Sequence, residues 1–216
     1  MKRVFGVFEA VFDAAYLAAA LLLGVVLIAA SHANPARLAA GVMAFVLAGG
    51  DAFHLLPRIR LIRTGNEEAL RAALGRGKQI TSITMTVFYV LLWHIGQLSF
   101  APSGGAHGTL LIYLLAGARI ALCLPAQNQW TQRYPAVRWS ILRNIPFFLL
   151  GAAVAAFFFL YRSAVLGLGW MWLAILLSFA FYLPVVLWSN KKPKIGMLML
   201  PKTCAYLWML YMCLCL

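Results

Sequence analysis

A chain of 216 residues that is 64% apolar and 11% charged, with a mean hydropathy of +0.88, lies far outside the range of soluble globular domains. It reads as an all-helical polytopic membrane protein, long enough for six to eight spans of about 20 residues and short loops, with no room for a separate soluble domain. The net charge of +13 would suggest nucleic acid in a soluble chain. Here the Lys and Arg residues sit mostly between apolar runs, where they set orientation and meet membrane lipids, so no nucleic-acid partner is expected.

The first apolar run, residues 5–30, carries Glu9, Asp13 and Tyr16 at helical spacing on one face. A rival reading makes "MKR", this run and "SHA" a signal peptide cleaved after Ala33, but a secretory segment has no use for Glu9 and Asp13. The second span, 38–56, places Gly41, Ala44, Ala48, Asp51 and Leu55 along one stripe, so small residues admit a neighbouring helix and Asp51 faces protein. His54 follows Asp51 by three residues and shares its direction.

The longest connection, 57–78, is expected to hold a short interfacial helix capped by Asn66, with Glu67 and Glu68 in its first turn and Gly75 and Gly77 stopping it. The third span, 79–100, continues a polar stripe of Lys78, Ser82, Thr86, Tyr89, Trp93 and Gln97 that reads as an interior wall. His94 lies off that stripe and reads as a packing residue.

The fourth span, 108–125, contains Arg119 and ends in "CLPAQNQW". The fifth, 142–161, opens on Arg143 and Asn144; the sixth is 168–188; the seventh, 195–216, holds Lys202. Pro146, Pro184 and Pro201 read as kinks that each free a backbone carbonyl. Cys123, Cys204, Cys213 and Cys215 have no C-x-x-C spacing and read as packing residues.

Orientation follows from the basic residues. One side takes Lys2, Arg3, the run from Arg58 to Lys78, Arg133, Arg138, Lys191, Lys192 and Lys194; the other takes Arg37 and Arg162, with none in "SFAPSGGAHG". The positive-inside rule then puts the N-terminus in the cytoplasm and, after seven spans, the C-terminus outside, in a cytoplasmic or inner membrane.

Of five carboxylates in the chain, Glu9, Asp13 and Asp51 fall inside spans, where each costs about 2.5–3.5 kcal/mol on insertion scales. Arg119, Arg143 and Lys202 balance them. With His54 and Asn144 these form a cytoplasm-facing polar cluster, read as the binding or proton-relay site for a small polar or charged solute that is bound or transported. Asp51 and His54 would exchange the proton.

Two alternatives stand beside this reading. One is a non-catalytic scaffold whose ion pairs set helix register. The other is a membrane-embedded hydrolase acting on a lipid, with zinc on Asp51 and His54. Seven spans with Asp51 and His54 early in the chain resemble the superfamily of adiponectin receptors and alkaline ceramidases, whose zinc site also uses histidines of the last span; "PKTCAYLWMLYMCLCL" has none. Lys202 has a weaker resemblance to the rhodopsin lysine, and "LPAQ" to the Pro-Gln pair of seven-helix sugar transporters, which Ala126 interrupts. No G-x-S-x-G, H-E-x-x-H or phosphate loop appears, so no catalytic residue is assigned.

Overall fold

A computed structural model describes residues 2–102, 106–133, 135–188 and 192–216, with no side-chain description for 2–5 and 193. Lys191, and with it part of the expected basic loop, lies outside the described residues, as do 103–105 of the third connection and the Lys2 and Arg3 side chains. The described residues are helical with no strand. Seven helical segments are long and apolar enough to cross a membrane; they are built on α1 Lys2–Ala29, α2 Pro35–Thr64, α3 Glu67–Phe100, α4 Ala106–Cys123, α5 Val137–Leu160, α6 Met171–Trp188 and α7 Met199–Met212, the last reaching span length, Lys194–Cys215, only with the 3-10 turns on either side of it. Their outward residues are apolar, as at Leu22, Leu114 and Leu160 (74% exposed). Such a continuous apolar exterior suits lipid and would aggregate in water.

The helices alternate between two ends. Asn34 Nδ2 donates to the Leu216 carbonyl at 2.9 Å and Arg37 Nη2 to that of Leu214 at 3.4 Å, joining the α1–α2 turn to the C-terminal residues. At the opposite end Glu67 pairs with Arg133 at 3.7 Å, and Gln79 Nε2 donates to the Cys123 carbonyl at 3.1 Å, joining the α2–α3 turn to the α4–α5 connection. The basic residues from Arg58 to Lys78 crowd this second end. The two arginines expected at the first end have local work: Arg37 donates to the Ala30 carbonyl and Arg162 to that of Phe159, each satisfying a helix C-terminus.

The connection 57–78 differs from expectation. Instead of an interfacial segment between two spans, α2 runs through Pro57 to Thr64, and α3 begins at Glu67 and passes through Gly75 and Gly77 without a break. Asn66 does cap α3, its side chain accepting from the Ala69 N–H at 3.1 Å, and Gly65 closes α2 with the left-handed φ of 68° that glycine adopts without strain. At about 1.5 Å per residue, α2 and α3 reach about 45 and 51 Å, so both project well beyond a hydrocarbon core of about 30 Å.

Gly77 has a role that stopping a helix would not explain. Pro57 has no N–H, so the Phe53 carbonyl loses its helical partner. That carbonyl lies where a Cβ on Gly77 would be, and the His54 Cα would be 2.8 Å from the same Cβ. One turn further in, Thr81 Oγ1 donates to the Gly50 carbonyl at 2.9 Å. The α2–α3 hairpin is thus seated backbone against backbone at the turn of α2 that carries Asp51 and His54.

Pro146 and Pro184 lie inside α5 and α6 as expected. Pro201 lies inside the seventh span, two residues past the point where a 3-10 segment, Pro193–Leu198, gives way to α7. Cys123 and Cys213 are buried, whereas Cys204 and Cys215 are exposed.

Candidate functional site

The stripe on α2 faces inward, with Gly41, Ala44, Ala48 and Asp51 all buried. These small side chains let α1 approach, and the contact delivers Tyr16 to Asp51: the phenol donates to Asp51 Oδ2 at 2.7 Å. Asp51 is 8% exposed and Asp13 is buried one turn before Tyr16. Because a buried hydrogen bond to a charged acceptor contributes about 1.5–3 kcal/mol, Tyr16→Phe is expected to lower stability by about that amount, measured by thermal unfolding of the purified protein in detergent. An unchanged midpoint would mean that Asp51 does not depend on this donor.

Glu9 is set apart from these acids. It forms a two-pronged ion pair with Arg58, Nε to Oε1 at 2.7 Å and Nη2 to Oε2 at 3.3 Å, and both side chains are partly exposed. That pair ties α1 to the extension of α2. His54 keeps its place one turn from Asp51, but no hydrogen bond joins them among the described residues, and its Nδ1 is buried without a partner.

The basic half is built on α4 to α7. Arg143 is held by the α4–α5 connection: Nη1 donates to Asn128 Oδ1 at 2.8 Å, Nη2 to Ser140 Oγ at 3.2 Å, and Cζ lies 4.0 Å from the Trp130 ring centroid. Asn128 donates in turn to the carbonyls of Leu122 and Pro125. It is therefore a buried anchor of this turn, while Gln127 and Gln129 beside it are exposed. Asn144 donates to the Ser140 carbonyl and accepts from the Tyr182 hydroxyl at 3.1 Å.

Arg119 Nη1 donates to the Arg143 carbonyl, next to the Leu142 carbonyl that Pro146 deprives of its helical N–H. Lys202 is 6% exposed, with Nζ 4.5 Å from the Tyr182 ring centroid and 5.0 Å from that of Tyr206. It lies within electrostatic range of Asp51 and Arg119, yet the expected pairing of these bases with the span acids is not made: no ion pair joins them among the described residues. Among the described residues the interior thus holds three buried bases, Arg119, Arg143 and Lys202, against two buried acids, Asp13 and Asp51.

The wall expected on α3 is largely closed. Ser82 and Thr86 turn their hydroxyls back to carbonyls one turn earlier, Tyr89 bonds Ser178 at 2.9 Å, Trp93 Nε1 donates to Thr109, and Lys78 is exposed. Only the Gln97 amide is buried without a partner. His94 bonds the Tyr113 hydroxyl at 2.7 Å. A groove of about 280 Å³ on the outer surface of α5 and α6, lined by Ala152, Ala155, Ala156, Phe159, Trp172 and Leu176, has no charged side chain.

Around Lys202, Tyr182 and Tyr206 are participants that sequence reasoning missed. Tyr206 had a signal, four residues after Lys202 and so on its face of α7; Tyr182 had none, since only helix packing brings it to Lys202. As for a metal, no group of three His, Cys, Asp or Glu side chains capable of holding one exists among the described residues, so Asp51 and His54 gain no third ligand. No family model matches the chain, and no curated protein or solved structure is significantly similar to it.

Proposed function

We propose that this protein binds and transports a small polar or charged solute across a cytoplasmic or inner membrane, with a proton carried at Asp51. The N-terminus and the basic end of the bundle lie in the cytoplasm and the C-terminus outside. One observation carries the reading: three buried bases and two buried acids share the interior without an ion pair among the described residues. Helix register alone is served by charges that neutralise each other, because an unpaired buried charge is strongly destabilising. Charges held apart beside aromatic rings and amides suit a solute that completes them.

In this mechanism Tyr16 holds the Asp51 carboxylate toward the interior. Protonation of Asp51 removes the negative charge nearest Lys202 and leaves the ammonium free for an anionic group of the solute; release of the proton restores the competition. Lys202 switches partners, and solute and proton are linked.

The test is reconstitution of the purified protein in vesicles loaded with a pH-sensitive dye, followed by a panel of small amino acids, organic acids, amines and sugars. The expected result is proton movement driven by at least one solute class in wild type. If no solute is taken up and no proton moves, the transport reading is wrong, and the charges are structural.

A further inference from the structure

Arg119 is 1% exposed, the deepest charged side chain among the described residues, and its guanidinium is only partly used. Nη1 donates to the Arg143 carbonyl, and Cζ sits 4.9 Å from the Phe147 ring centroid, which orients the plane. Nε is buried with no acceptor among the described residues, and the guanidinium's hydrogen bond to a described residue comes from Nη1, not Nη2.

The unused atoms are not arbitrary. In a planar guanidinium the Nε–H and the outer N–H of Nη2 point the same way and form one of its two bidentate edges. Arginine does not escape the problem by losing its proton. No described acid pairs with it. Arg143, by contrast, commits both of its terminal nitrogens to Asn128 and Ser140.

We infer that the Nε/Nη2 edge of Arg119 is the docking point for the carboxylate of a small organic acid, with Lys202 supplying the second positive charge. This rests on the solute-binding reading above and names the class of solute. Two carboxylate oxygens match two parallel N–H groups. A halide offers a single centre to the same edge. A phosphate or sulfate brings further oxygens into an interior where both terminal nitrogens of Arg143 and the amide nitrogen of Asn144 already donate to other groups. Lys202 lies within electrostatic range of Arg119 and faces the rings of Tyr182 and Tyr206, so among the described residues it adds charge without a competing hydrogen bond.

The experiment compares formate, nitrate and chloride at equal ionic strength on full-length protein in detergent, labelled with ¹⁵N-arginine. Formate and nitrate are planar with adjacent oxygens; chloride has the same charge and no such geometry. The two oxyanions should shift the Arg119 Nε–H resonance, identified by its absence in Arg119→Lys, and at saturation raise the unfolding midpoint by about 5 °C over chloride. Arg119→Lys keeps the charge but loses the edge, so formate and chloride should become equivalent.

Equal shifts by chloride and formate in wild type would overturn the carboxylate assignment while leaving a charged-solute site in place. An Arg119 resonance that ignores all three anions would overturn the inference outright. Neither result touches solute-driven proton movement in vesicles, which tests transport by itself. The comparison among anions is made in wild type and decides the matter even where Arg119→Lys does not fold.

Discussion

Asp51→Asn should leave the protein folded and reduce solute-coupled proton movement by about two orders of magnitude, the scale on which a positioned proton-transfer group contributes. Asparagine fits the same space, and its amide oxygen can accept the Tyr16 hydroxyl that now donates to Asp51 Oδ2 at 2.7 Å. It cannot ionise, and so neither carries a proton nor alternates between attracting and releasing the Lys202 ammonium. The measurement is dye-reported proton flux in vesicles beside thermal unfolding in detergent. Glu9→Gln provides the contrast: its ion pair with Arg58 is partly exposed, so its loss should cost no more than about 1 kcal/mol and leave flux intact. Equal loss of flux in both variants would remove Asp51 from its special position, and unchanged flux in Asp51→Asn would rule it out as the proton carrier.

Gly77→Ala is expected to damage the fold severely for so small a change. The added methyl would meet the Phe53 carbonyl and the His54 Cα, which are backbone atoms that no rotamer change can move. Overpacking of this kind costs about 1–3 kcal/mol, occasionally more. At Gly117, on α4, an added Cβ meets nothing within 4 Å, and alanine there should gain about 0.5–1 kcal/mol from helix propensity. The two variants should therefore differ by about 5 °C or more in unfolding midpoint. Because Gly77 rests on the turn that carries Asp51 and His54, flux should fall with stability in Gly77→Ala and stay at the wild-type level in Gly117→Ala. Similar midpoints would mean that α2 and α3 do not touch at this point.

The contrast between these two glycines also marks the limit of what could be read without the fold. Apolar runs of about 20 residues declare themselves, because every backbone polar group in hydrocarbon must be bonded within its own helix, and so the seven helices of Gly6–Ala29 through Lys194–Cys215 were legible. Asn66 was legible as a cap for a local reason, since its side chain serves an N–H three residues away. The inward face of α2 could be read from small residues at helical spacing. Gly77 was misread as a helix stop because its reason lies on another helix, in a carbonyl that Pro57 leaves unbonded.

Charge type and depth are properties of the chain, and they singled out Asp13, Asp51, Arg119, Arg143 and Lys202 as residues that a membrane interior holds only for cause. Which of them would be satisfied was decided by packing alone. The α4–α5 turn folds Asn128 and Trp130 onto Arg143 and uses it up; Arg58 reaches Glu9 and removes it from the interior; two tyrosines from α6 and α7 surround Lys202 with rings instead of carboxylates. Periodicity places a side chain on a face of its own helix, but hydrogen bonds form between faces. The pairing of faces depends on helix order and rotation, which no single stretch of sequence encodes.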